Sequence, residues 1–266
     1  MTVFAVGIFA LLFSPIRAVA QLSSFGVLGG STVTNTATPT IVNGNLGVSP
    51  GSAVTGFPPG IVTSGSIHAA DSVAAQAQTD LTTLYNQLAT TPCSTNLTGQ
   101  NLGGMTLTPG VYCFNSSAQL TGTLTLNGLN NPNAIFIFQM GSTLTTASGS
   151  SVFLINNASS CGVAWQVGSS ATLGTGTSLL GNIVALSSIT LNTGASVPGR
   201  LLARNGAVTL DDSQVSFCSG GAGLPGLPPP PQLITGTPAM SLPVLAALTL
   251  LLVGLGSVLA GKARAF

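Results

Sequence analysis

Short apolar stretches alternate with hydroxyl-bearing residues along most of the chain, and one tripeptide pattern recurs at a near-constant interval. Ala171-Thr172-Leu173, Ile189-Thr190-Leu191 and Val208-Thr209-Leu210 follow at steps of 18 and 19 residues, and Leu124-Thr125-Leu126 and Ser142-Thr143-Leu144 are also 18 apart. A second class of apolar strand interleaves with them, at residues 135–138, 163–165, 183–186 and 201–203. This repeat predicts a mainly β fold made of β-helix coils, with apolar residues stacked inward and Thr and Ser stacked outward.

One segment departs from the strand pattern. Between residues 68 and 90 the apolar positions have helical spacing, and they are Val73, Ala77, Leu81, Leu84 and Leu88. Pro92 then ends the pattern. We expect one amphipathic α-helix whose apolar stripe packs along a side of the solenoid. A free interaction helix is the alternative, but the polar face carries only Asp71 and Asp80.

The two ends of the chain differ from the middle. Residues 1–20 have the apolar run and small-residue cleavage pattern of a signal peptide, so we expect residues 21–218 to form the exported domain. Residues 219–241 are a Gly/Pro-rich linker. Residues 242–261 carry no charge and are long enough for a transmembrane helix, and the basic tail 262–266 should remain cytoplasmic. The protein is therefore expected to be membrane-anchored with its β-helix outside the cytoplasm, or secreted if the tail is removed.

Charge is scarce, which excludes several functions. Only 3% of the residues are charged and the net charge is +1, so the chain lacks the positive electrostatic potential that would attract the phosphates of nucleic acid. With one His and four acidic residues, acid–base catalysis lacks its usual groups. We expect no enzymatic activity, no cofactor and no metal site.

The remaining ionisable residues have structural interpretations. Asp211 and Asp212 would point to opposite faces on a strand and so would not converge as a catalytic pair unless a turn or bulge intervenes. A turn or a solvated edge after Val208-Thr209-Leu210 is the expected structure. His68 lies near the predicted helix start, where capping or burial is the expected role. Arg200 and Arg204 flank a strand, where they should pair with Asp211 or Asp212 on an adjacent coil or blunt a sheet edge.

Four cysteines in an exported chain predict two disulfides, and three pairings are possible. Cys93 and Cys113 flank a segment with hairpin character, so proximity favours Cys93–Cys113 and leaves Cys161–Cys218. A zinc site is disfavoured because the chain has no C-x-x-C pair and a single His.

Several segments, taken in chain order, resemble segments of one known protein family. They are FGVLGGSTVTN (25–35), GNLGVSPG (44–51), GFPPG (56–60), LTPGVY (107–112) and TLNTGASVPGR (190–200). Together with residues up to 211, they resemble the ice-binding-protein-like family of microbes over about residues 22–218. The resemblance implies a discontinuous right-handed β-helix, triangular in section, with one long helix against a side. It also implies adsorption to ice through one flat face.

The resemblance also suggests which residues meet ice. The ice face of the family often carries a Thr-Ala/Gly-x-Thr/Asn pattern, which residues 193–196 and 175–178 match approximately and residues 146–149 match in half. The ice-contacting residues expected from this pattern are Thr146, Ser148, Thr175, Thr177, Thr193, Ala195 and Ser196.

An uncharged wall of hydroxyls and methyls suits ice, because a charged face would stay hydrated instead of docking. We therefore expect a monomer that binds ice and ordered water, and that inhibits ice growth or recrystallisation or attaches the cell to ice. The alternative is a surface adhesin or structural module on the same scaffold that binds glycan or another cell. Such a module would present aromatic rings, whereas Trp165, Tyr85 and Tyr112 lie in patterns that predict burial.

Overall fold

A computed structural model of the protein describes residues 22–36 and 39–218. Within these residues the fold is mainly β, with three stacks of parallel strands around one apolar core, one long α-helix and a short 3-10 turn at Ser160–Gly162. Strands are numbered in chain order and grouped below by sheet.

Sheet A is the largest and supports the helix. In spatial order it contains β7 (Ile67–Ala69), β4 (Asn45–Val48), β1 (Phe25–Gly29), β21 (Leu201–Ala203), β18 (Asn182–Ala185), β16 (Val163–Val167), β13 (Phe136–Met140), β10 (Gly110–Phe114) and β8 (Thr95–Asn96).

Sheets B and C form the other two sides of the core. In spatial order sheet B contains β11 (Ala118–Leu120), β14 (Leu144–Thr146), β17 (Ala171–Leu173), β19 (Ile189–Leu191), β22 (Val208–Leu210), β2 (Thr32–Asn35) and β5 (Ala53–Thr55). Sheet C has two parts, joined by single bridges from Ser178 to Ser151 and to Ser196. Its strands are β9 (Thr106–Leu107), β12 (Thr123–Asn127) and β15 (Ser151–Ile155), then β20 (Ser196–Pro198), β23 (Gln214–Ser216), β3 (Ile41–Asn43) and β6 (Ile61–Thr63).

The registers confirm the repeat seen in the sequence for three coils. Thr172 is paired with Thr190, and Thr190 with Thr209, in strands β17, β19 and β22. The fourth tripeptide, Leu124-Thr125-Leu126, does not belong to this series. It lies in β12 of sheet C, because an x-Thr-Leu strand fits any side of the solenoid where the flanking residues point inward.

The order of coils along the solenoid differs from their order along the chain. β1 is paired with β4 on one side and with β21 on the other, so the first coil lies next to the last one. The chain builds the coils up to β7, then forms the helix, and returns from β8 through the remaining coils to β21. None of the sheets formed by the described residues closes on itself.

Helix α1 spans Ser72–Thr90, four residues later than its predicted start. Asp71 is the N-cap, and its carboxylate accepts a hydrogen bond of 2.8 Å from the amide of Ala74. His68 belongs instead to β7, and its Nδ1 lies 2.7 Å from Asp71 Oδ2. His68 therefore neither caps the helix nor is fully buried; it contacts the N-cap residue instead. The bonds from Ala74 and His68 hold the pKa of Asp71 below its usual value.

The apolar stripe of α1 packs on the outer face of sheet A, as the helical spacing predicted. Leu81, Leu84 and Leu88 form a second core with outward residues of the sheet such as Val184 and Leu202. Nineteen residues extend about 28 Å, which matches six strand spacings of about 4.8 Å, and α1 contacts strands from β7 to β13. Desolvation raises the pKa of Asp80, which is buried on the helix.

The main core is filled by inward residues stacked in register. Tyr112, Phe138 and Trp165 form an aromatic column, with 5.5 Å between the first two ring centroids and 4.1 Å between the last two. Trp165 is completely buried, and Tyr112 and Tyr85 are 6% and 9% exposed, as their positions in the pattern predicted.

Both disulfides have the pairing that proximity favoured. Cys93 is bonded to Cys113, and Cys161 is bonded to Cys218. The second bond ties the last described residue to the 3-10 turn at the corner between sheets C and A.

The predictions for the ends of the chain lie outside the described residues. They are the signal peptide 1–20, the linker 219–241, the transmembrane helix 242–261 and the tail 262–266. Within residues 22–36 and 39–218, no helix is both long and apolar enough to cross a membrane.

Candidate functional site

A column of threonines runs across the outer surface of sheet B. Threonine occupies the same outward position on six consecutive strands, and glutamine occupies it on the seventh. In spatial order these residues are Thr55, Thr34, Thr209, Thr190, Thr172, Thr145 and Gln119.

The alternation of side chains along each strand explains why these threonines face outward. In β19, Ile189 and Leu191 are buried while Thr190 between them is partly exposed, and β17 and β22 have the same pattern. Successive residues of a strand point to opposite sides, so two apolar neighbours in the core direct the threonine to the surface. β-Branched threonine also suits an extended backbone.

A second column lies two residues before each residue of the first, at the start of a strand or just ahead of it, and therefore on the same side of the sheet. Its members are small and mostly hydroxyl-bearing: Ala53, Thr32, Ala207, Ser188, Ser170, Thr143 and Ser117. Thr143 donates a hydrogen bond of 2.8 Å to Ser117, and the hydroxyls of Ser170 and Ser188 accept bonds from the next coil. We call the two columns together the B face.

The B face is a regular and uncharged array. Parallel strands place neighbouring rungs about 4.8 Å apart, and the two columns lie about 6.6 Å apart along the strands. No member of either column is charged. The hydroxyl of Thr55 donates a bond of 3.1 Å to that of Thr34, so the ladder continues across neighbouring rungs.

The other two sheet surfaces have different properties. Helix α1 covers the outer side of sheet A. Sheet C carries large apolar side chains on its outer side, including Phe153 at 59%, Ile61 at 49% and Ile41 at 41% exposure. Sheet C also carries small hydroxyl-bearing residues such as Thr123 and Ser151, but large apolar side chains interrupt them. Among the sheets that the structure describes, sheet B therefore offers the most continuous uncovered surface of small hydroxyl-bearing residues.

The residues predicted from the family pattern lie beside the B face, at the corner between sheets B and C. Ser148, Thr175 and Thr193 are exposed there in the turns between coils, and Ser196 is half-buried at the start of β20. Thr146, Thr177 and Ala195 point into the interior. Their placement on an exposed face is therefore corrected, because a buried side chain cannot contact a solid surface.

The hydroxyls of the two buried threonines are hydrogen-bonded to each other inside the corner. Thr146 Oγ1 and Thr177 Oγ1 are 2.8 Å apart, and Thr146 also accepts a bond of 2.9 Å from the amide of Gly174. Hydroxyls that are paired in this way can be buried without a large desolvation cost.

Glycines shape the turns at this corner. Gly149, Gly176 and Gly194 have φ values of 68°, 65° and 75°, a left-handed conformation that glycine adopts without strain. The amide of Gly176 donates to Thr193 O over 3.0 Å, so the turns of successive coils are linked.

Asp211 and Asp212 form the corresponding turn in the last coil, which confirms the turn expected after Val208-Thr209-Leu210. Asp212 has a φ of 46°, in the left-handed region that Asp tolerates. Asp211 accepts a hydrogen bond of 2.5 Å from the hydroxyl of Thr193.

The prediction that an arginine pairs with these aspartates is wrong. Arg200 is completely buried and donates to Asn182 Oδ1 over 3.1 Å and to Ser23 O over 3.0 Å. Arg204 lies over the ring of Tyr85. Burial lowers the pKa of Arg200 to about 10, so its guanidinium remains charged at neutral pH. In the described part of the chain, no three His, Cys, Asp or Glu residues are grouped as metal ligands.

The sequence contained a signal for the B face that the family pattern obscured. The x-Thr-Leu repeat at 18–19 residues marks Thr172, Thr190 and Thr209 as outward positions of one surface. Thr34 and Thr55 have no such signal, because the reversal of coil order brings them to the column from the other end of the chain.

Comparison with known proteins gives consistent results. The model of a family described as Ice-binding-like matches residues 27–216. The chain is 59% identical over 195 residues to an ice-binding protein of Nostoc sp. (strain HG1), covering 73% of this chain and 71% of that protein. A crystal structure of an ice-binding protein from an Antarctic biological consortium has a TM-score of 0.73 and 42% identity, covering 81% of this chain and 97% of that one. A crystal structure of an ice-binding protein from the Antarctic ascomycete Antarctomyces psychrotrophicus has a TM-score of 0.71 and 39% identity. It covers 74% of this chain and 96% of that one.

Proposed function

The chain belongs to the ice-binding-like family, and from that premise we propose that it binds ice through the B face. The observation that carries the proposal is the column of six threonines in register on six neighbouring strands. Adsorption would slow ice growth and recrystallisation or hold the protein on ice.

The chemistry of the B face suits a solid made of water. Threonine methyl groups limit competing hydrogen bonds to liquid water, while the hydroxyls anchor the waters that remain between protein and ice. An ionic group at the contact would have to lose its hydration shell without a countercharge, which is costly. The B face contains no such group.

The rigidity of the coils supports the same function. Backbone ladders fix the rungs of sheet B, and the side chains beneath them belong to one continuous core. A surface whose hydroxyls are already ordered loses little conformational entropy on binding. The exposed corner residues Ser148, Thr175 and Thr193, with the half-buried Ser196, would extend this surface along one side.

We also propose the finer features that the sequence and the family resemblance suggest. The three-sheet solenoid would be a right-handed β-helix of triangular section, and the protein would act as an exported monomer. A membrane anchor at residues 242–261 would favour adhesion to ice or local protection over a freely diffusing antifreeze. The apolar run and the basic residues after it support the anchor.

Retention of the labelled full chain in a slowly growing ice hemisphere tests the proposal. We expect the parent chain to enter the ice, and a Thr172→Lys/Thr209→Lys double variant to be excluded because its ammonium groups stay hydrated. Thr106→Lys, on the exposed edge of sheet C, is the matched control and should be retained. Exclusion of the parent chain would refute the proposal.

A further inference from the structure

An open cavity lies between helix α1 and the corner where sheets A and B meet. Its volume is about 430 Å³, within the range of small-molecule sites. Residues from the helix and from the loops after β4 and β21 line it, principally Gln78, Thr82, Thr83, Ser49, Arg204 and Asn205.

Arg204 is a positive charge without a counterion in this cavity. Its guanidinium is held 4.8 Å from the centre of the Tyr85 ring, and its Nε is buried without a hydrogen-bond acceptor. Within the described residues the one ion pair joins His68 to Asp71, so no carboxylate of these residues neutralises Arg204.

The helix wall supplies hydrogen-bond acceptors. Thr82 and Thr83 donate their hydroxyl protons to the helix carbonyls of Gln78 and Thr79, which leaves their oxygen lone pairs free to accept. Gln78 Nε2 donates to Gly29 O and Ala203 O, so its amide oxygen remains available as well. A fixed cation beside several acceptors is complementary to a molecule with one carboxylate and several hydroxyls.

We propose that this cavity binds an acidic sugar, with Arg204 pairing with its carboxylate and the helix wall accepting from its hydroxyls. A guanidinium recognises a carboxylate through charge-assisted hydrogen bonds. Recognition through charge does not need an exposed aromatic platform. The buried Trp165 and Tyr112 offer none.

Calorimetric titration of the full chain with galacturonate, galactose and inorganic phosphate tests this site. Loss of charge-assisted hydrogen bonds should weaken binding about ten- to a hundred-fold, so galacturonate should bind more tightly than galactose by that factor. Arg204→Gln should reduce galacturonate affinity by a similar factor. Asn205→Asp should also weaken it, because the new carboxylate would compete for Arg204 while leaving the Tyr85 contact intact.

Ice retention separates this site from the B face. Thr190→Tyr should leave galacturonate binding unchanged, and Arg204→Gln, which adds no charge, should leave ice retention unchanged. Equal affinity for galactose and galacturonate would overturn the role of the carboxylate. Phosphate binding as tight as that of galacturonate would show a simple oxyanion site and overturn the sugar assignment, and absence of galacturonate binding would overturn the proposal entirely.

Discussion

Replacement of Thr190 by tyrosine tests the B face at its centre. Thr190 is the fourth of seven rungs, between Thr172 and Thr209, and its side chain is partly exposed above two buried neighbours. Because its outward position is set by the strand, the larger ring cannot turn into the core. It must stand above the methyl groups of the adjacent rungs.

The size of the effect follows from the spacing of the ladder. Adjacent rungs are about 4.8 Å away, and atoms in contact need about 3.5–4.0 Å, so a ring on Thr190 separates the ice plane from Thr172 and Thr209 as well. If each rung contributes about 1 kcal/mol through its anchored waters, three lost rungs amount to about 3 kcal/mol. That free energy corresponds to a roughly 100-fold weaker affinity.

The assay is the concentration of the full chain that inhibits ice recrystallisation. Thr190→Tyr should need roughly 100 times more protein, whereas Thr106→Tyr on sheet C should match the parent. Thr193→Tyr measures the corner separately, since Thr193 lies in a turn beside the B face. Thermal unfolding should be the same for all three variants. Parent-like inhibition by a folded Thr190→Tyr variant would refute the assignment of the B face.

Three further predictions concern stability. Asp71→Ala removes the helix N-cap and should lower the free energy of unfolding by about 1 kcal/mol in denaturant titrations. Asp80 has a raised pKa, so between pH 3.8 and its folded-state value the native state binds more protons, and stability declines as pH rises. Asp80→Asn should therefore raise Tm at pH 7, and a gain of the same size below pH 3.8 would contradict this origin. Cys161→Ala/Cys218→Ala opens a 57-residue loop and should cost about 4 kcal/mol, against about 3 kcal/mol for the 20-residue loop of the other disulfide; equal costs would argue against the loop-entropy origin.

Local pattern predicted the strands of the repeat, the helix and the favoured disulfide pairing. Helical spacing identified α1 because its apolar stripe meets one flat sheet, and the N-cap carboxylate of Asp71 marks the true start four residues later. The x-Thr-Leu repeat predicted the coils because each strand buries two apolar residues around one outward threonine.

The candidate site could be predicted only in part. The family pattern spans both turn positions and positions that point into the core. Thr146 and Thr177 were therefore assigned to the surface, although their hydroxyls are hydrogen-bonded to each other inside the corner. The spatial neighbours of Thr209 could not be read from the repeat, because Thr34 joins it through a pairing between distant parts of the chain.

The meeting of the first and last coils has a consequence for biosynthesis. Thr36 and Leu210, which are hydrogen-bonded across this junction, are separated by 174 residues. At translation rates of about 5–20 residues per second, roughly 10–35 s pass between the emergence of the two partners from the ribosome. During that interval the earliest strands expose an open edge that nothing yet covers. We expect newly made protein to depend most on chaperones at this stage. The B face should reach its full length only after the last coil has emerged.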